Sequence, residues 1–198
     1  IGCYAKNFYI DMEDMAGENG GLGSVGVMNI RAEEFEMDNF QIRANAPLVC
    51  SANKDLTAFG YGTVASSLQT ISAGLGSMGV VRSTGSLIAI QNRAPAMFLA
   101  YPNSHRFEGY MSRIGATGAY TNVAAEIYAG RNVKVDATVE VHDIVLKYEA
   151  GCSGIHFDVV SANIVSAAGY PIWADTGATL TDSDITVAFP TAADSNSG

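Results

Sequence analysis

The chain has 198 residues, 48% of them hydrophobic and 16% charged, with 21 Gly and 5 Pro. That is enough apolar chain for a dry core, and the low charge fraction is the opposite of a disordered composition. A formal net charge of −9 argues against a phosphate-backbone binder, and no apolar run approaches the roughly 20 residues needed to span a bilayer. Nucleic acid and membrane insertion are therefore not expected.

The opening Ile1-Gly2-Cys3-Tyr4 has no basic flank before an apolar run and does not read as a signal peptide, so a processed or excised chain is expected. Cys3, Cys50 and Cys152 form no CxxC pair, which excludes a zinc ribbon; buried free thiols are the expected state, with a single disulfide between two of them as the alternative. Residues 1–55 are read as β-rich. Within them Phe35–Arg43 alternates apolar and polar residues in the manner of a half-buried strand.

Residues 56–86 are a segment rich in Gly and Ser. Val64, Leu68, Ile71, Leu75 and Met78 recur there at helical spacing, which predicts one short helix near 64–73 that ends before Gly74. From 87 to 190 the signal is strand again, clearest in the alternation of Asn132–His142. The last residues, 191–198, are a small, polar tail.

An internal repeat gives the strongest architectural signal. Ala129-Gly130, Ala150-Gly151 and Ala168-Gly169 each lead, after a short spacer, into an apolar pair that ends at Asp136, Asp158 and Asp175. A second element, Asn122-Val123, Asp143-Ile144, Asn163-Ile164 and Asp184-Ile185, keeps step with it. Two short strands per period of about 20 residues describe one turn of a coil, with strands stacking about 4.8 Å apart. Val133, Ile155 and Ile172 are then expected to form one inward column, and Val123, Ile144, Ile164 and Ile185 another, with Asn, Asp and Gly at the corners.

This grammar resembles the right-handed single-stranded parallel β-helix of pectin-lyase-like proteins, including bacteriophage tailspikes and tail fibres. The similarity is good over 122–190 and weaker over 30–55. It implies a fold, a homotrimer and a polysaccharide laid along one face of the coil, in a virion or extracellular setting. It carries over no catalytic residue. The competing fold is a β-sandwich or jelly-roll viral coat protein matured by cleavage, which requires the period to be coincidental.

Three groups of side chains are candidates for chemistry. Asp136, Asp158 and Asp175 would stack as a ladder whose repulsion a Ca²⁺ ion would offset, unless each Asp simply caps its own turn. Otherwise no cofactor is expected. Glu34, Glu36 and Asp38, in the acidic run from Glu33, share one face of a strand about 6.5–7 Å apart, a spacing compatible with a glycosidase acid–base pair; charged edge protection explains the same pattern. Tyr170, Trp173 and His156 are expected on the outside of the coil. Aromatic rings there suit sugar stacking, or equally a subunit interface.

His105, His142 and His156 have no metal-ligand spacing, and no GxSxG or phosphate-loop motif occurs. The leading reading is a structural, receptor-binding module of a virion appendage that presents a β surface to cell-surface glycans. A polysaccharide hydrolase or lyase on the same coil is the second, and a coat protein the third.

Overall fold

The structure is a computed structural model that describes residues 2–12, 25–30, 34–44, 46–51, 55–56, 62–63, 80–89, 95–113, 123–142, 144–164 and 171–189. In chain order its strands begin with β1 (Gly2–Asp11), β2 (Val25–Ile30), β3 (Glu34–Ala44), β4 (Ala46–Ser51), β5 (Asp55–Leu56) and β6 (Gly62–Thr63). Then come β7 (Val80–Ala89), β8 (Met97–Ala100), β9 (His105–Arg113), β10 (Val123–Tyr128) and β11 (Arg131–His142). The last are β12 (Ile144–Glu149), β13 (Gly151–Ile164), β14 (Ile172–Ala174), β15 (Thr179–Thr181) and β16 (Asp184–Ala188). The helix expected near 64–73 lies outside the described residues.

Two parallel sheets make up the molecule. One runs β1-β3-β7-β9-β11-β13-β15, with β16 also on β13; the other runs β14-β12-β10-β8-β4-β2. Apart from the small β5–β6 pair, successive strands from β1 to β15 alternate between these sheets, so the chain passes from one to the other and back; β16 follows β15 in the same sheet. Every described pairing in the two large sheets is parallel; the antiparallel pair is β5 with β6. A jelly-roll is built from antiparallel strands, so the coat-protein fold does not describe this chain.

Strand β11 shows why these sequences take this form. Val133, Val135, Ala137 and Val139 are buried, while Lys134, Asp136 and Thr138 between them are exposed, the period-two pattern of a sheet with one wet face. The inward residues stack in register from strand to strand: Phe107, Val135, Phe157 and Ile185 form one column. Leu48, Met97, Ala125 and Leu146 form the facing column of the six-stranded sheet. Both columns belong to one core cluster, in which Phe107, Val135 and Leu146 are fully buried. No strand here covers its own apolar face; neighbours along the stack and the opposite sheet do it together.

Pairing offsets are unequal, and this corrects the expected columns. Val123 pairs with Ile144 and Val133 with Ile155, as the repeat predicts. Ile164, however, pairs with His142, Ile185 with Phe157, and Ile172 with Leu146 in the other sheet. The cause is β13, which runs unbroken from Gly151 to Ile164 and so places both repeat elements of that period in one strand.

Corners are built largely as the composition suggests. Asn7, Asn39, Asn132 and Asp182 have positive φ, and Asn39 Nδ2 donates to Asn7 Oδ1 at 2.7 Å across neighbouring strands. The Ala-Gly pairs reverse the expectation. Ala129 and Ala150 take the left-handed conformation (φ 49° and 57°), while Gly130 is needed for close packing, because a Cβ there would lie 2.5 Å from Ile127 Cγ2.

Candidate functional site

Glu36 and Asp38 of β3 stand on the outward side of the eight-stranded sheet. Phe35 and Met37 pack with the core, and Glu36 and Asp38 alternate with them. Glu34 pairs with Gly2 and Val80, Glu36 with Tyr4 and Arg82, and Asp38 with Lys6 and Thr84. Lys6 Nζ lies 3.4 Å from an Asp38 carboxylate oxygen, and both side chains are well exposed. This carboxylate is ion-paired and solvated on an open sheet face, without the enclosure of a proton-transfer site.

Asp136 and Asp158 pair in register, and Glu108 flanks Asp136 on the other side. The three carboxylates line an open groove of roughly 460 Å³ with Gly109, Ala137, Thr138 and Val160. The groove exists because Gly109 has no side chain and sits against Gly85, where a Cβ would meet the Gly85 carbonyl oxygen at 1.9 Å. The adjacent row is basic: Arg106, Lys134 and His156 pair consecutively, and Arg106 forms an ion pair with Glu108.

Asp175 does not join this ladder. It follows β14, where its carboxylate accepts a hydrogen bond from the Thr176 amide at 2.8 Å, so it caps its own turn. Among the described residues no group of three or more His, Cys, Asp or Glu side chains is placed to hold a metal ion.

His156 and Trp173 are both exposed, but they lie in different sheets. His156 sits between Lys134 and Asp184, whereas Trp173 pairs with Lys147. The structure therefore does not bring them together, and Tyr170 lies outside the described residues.

Beside Trp173 is a cluster that the motif search missed. Lys147 Nζ is 3.1 Å from Glu126 Oε1 and also pairs with Glu149. Burial pushes the Glu126 carboxyl up, against the pull of Lys147. Burial alone would lower the Lys147 ammonium, but the two carboxylates hold it above its usual value. Tyr128, paired with Glu149, meets Tyr101 edge to face at 5.1 Å. A signal was present in the sequence: Glu126 and Lys147 have the same separation as Val123 and Ile144, so opposite charges one rung apart marked a stacked pair.

Two buried groups complete the inventory. Cys50 and Cys152 are free and buried, and burial pushes the Cys50 thiol up to about 12, which makes it inert. His105 is 1% exposed, neither ring nitrogen has a hydrogen-bond partner among the described residues, and burial pushes its pKa down to about 3. No protein-family model, no curated protein and no solved structure matches the chain.

Proposed function

We propose that this chain is a right-handed single-stranded parallel β-helix acting as a structural, receptor-binding module of a virion appendage, of the tail-fibre or tailspike kind. In this reading it assembles as a homotrimer and presents its outer surface to cell-surface glycans. The supporting observation is the winding between two parallel sheets, which repeats outward side chains in register along the stack, as in Arg106, Lys134 and His156. A linear polymer laid along such a surface meets similar contacts at each strand spacing, so weak single contacts add along its length. Polar, partly aromatic rows suit hydroxyl-rich ligands, and the candidate carboxylates Glu36 and Asp38 stand on an open sheet face.

A glycan array probed with the fluorescently tagged chain tests the recognition claim, and light scattering tests the trimer. Saturable binding to a defined glycan class, with no release of reducing or unsaturated ends, is the expected result. A blank array refutes recognition. Release of new ends that is lost in Glu36→Gln or Asp38→Asn favours the hydrolase or lyase reading.

A further inference from the structure

We infer that the outward face of the six-stranded sheet around Trp173 is a sugar subsite for a glycan unit that carries no acidic group. This rests on the glycan-binding reading and specifies its location and ligand class.

Residues paired in parallel strands point to the same side, so Val49, Phe98, Glu126, Lys147 and Trp173 form one row. Exposure rises along it. Val49 and Phe98 are buried, the Glu126 and Lys147 side chains are 15% and 25% exposed, and Trp173 is 42% exposed. The row thus opens to solvent at its aromatic end, directly beside three partly buried charges.

An indole offers a flat apolar surface to the C–H face of a pyranose, and carboxylates at its edge accept hydrogen bonds from the ring hydroxyls. Each carboxylate has about four acceptor positions, and Lys147 occupies only part of that capacity on Glu126 and Glu149. A side-chain hydrogen bond also links Glu126 with Glu149, and the lone pairs beyond these contacts favour a ligand rich in donors.

Charge sets the class of sugar. Lys147 is the cation of this row and already serves two carboxylates, which leaves the cluster with a formal charge of −1. Among the described residues of this row a uronate or sulfate would find no further cation, and it would approach a chain of net charge −9.

The chain has a single tryptophan, so its intrinsic emission reports on this site alone. The experiment is a fluorescence titration of the full chain with cellohexaose, chitohexaose and hexagalacturonate. The expected result is a saturable change in emission with a neutral hexamer, roughly tenfold weaker binding of hexagalacturonate, and a loss of similar size by calorimetry in Trp173→Ala. Glu126→Gln combined with Glu149→Gln should narrow the gap between neutral and acidic hexamers, which a purely structural role would not do.

Binding with unchanged emission and full affinity in Trp173→Ala overturns the subsite while leaving glycan recognition intact. Equal binding of hexagalacturonate overturns the charge argument. Failure of all three hexamers overturns the subsite, and the broader reading falls with it only if the glycan array is also blank.

Discussion

His105 makes the stability of this chain depend on pH in a way that one substitution isolates. Its imidazole is 1% exposed with both nitrogens unpartnered among the described residues, and its folded pKa is pushed from 6.5 to about 3 by burial. Above pH 7 the ring is neutral in both folded and unfolded chains, so it contributes no pH dependence. Below 6.5 the unfolded chain takes up a proton that the folded chain refuses, and stability falls until the pH reaches the folded value. The loss is ~0.8 kcal/mol at pH 6 and ~2 kcal/mol at pH 5. Urea unfolding of the parent and His105→Leu at pH 7.5, 6 and 5 measures it, because every other titrating group cancels in the difference. The variant should match or exceed the parent at pH 7.5, having lost two unsatisfied nitrogens, and its advantage should grow by about 2 kcal/mol at pH 5. Parallel pH profiles for the two proteins would refute the reasoning and place a hydrogen-bond partner or water on the ring.

Gly109→Ala should destabilise the chain by roughly 3 kcal/mol or more, read as a fall in melting temperature, because its φ is +143° and the new Cβ would meet the Gly85 carbonyl oxygen at 1.9 Å. The Ala-Gly corners predict opposite signs for reciprocal changes. Ala150→Gly relieves a left-handed alanine and gains ~0.5 kcal/mol, whereas Gly130→Ala collides with Ile127 and loses ~1–3 kcal/mol, both measured by urea unfolding. Asp136→Asn should raise the melting temperature by relieving repulsion from Glu108 and Asp158, and added salt should shrink the gain. A calcium-dependent rise in the parent's melting temperature that this variant loses would instead establish an ion on the ladder.

The sequence made the strand-rich character and the stacking of neighbouring turns legible where the alternation is uninterrupted. Val133 to Val139 could be read directly, as could the Val123–Ile144 and Val133–Ile155 pairs. Sequence spacing could not show that Asn163-Ile164 falls inside the strand begun at Gly151, since a period counts residues and not the sheet that holds them. Ile172 and Trp173 consequently moved to the other sheet, and Trp173 parted from His156. The left-handed Ala129 and Ala150 were hidden because alanine gives no local hint of positive φ; after Ala129, tight packing against Ile127 reserves the glycine for position 130. The Glu126–Lys147–Glu149 cluster was recoverable only through the stacking register, which no motif encodes.

Placement of the final strand of the six-stranded sheet tests the architecture most directly. In a Cys3→Ser background, oxidation of the double variant Lys147→Cys, Trp173→Cys should form an intramolecular disulfide, since these residues pair across adjacent parallel strands. His156→Cys with Trp173→Cys should stay reduced. The opposite outcome, a bond between 156 and 173 and none between 147 and 173, would restore the uniform period of about 20 residues and contradict the two-sheet winding described here.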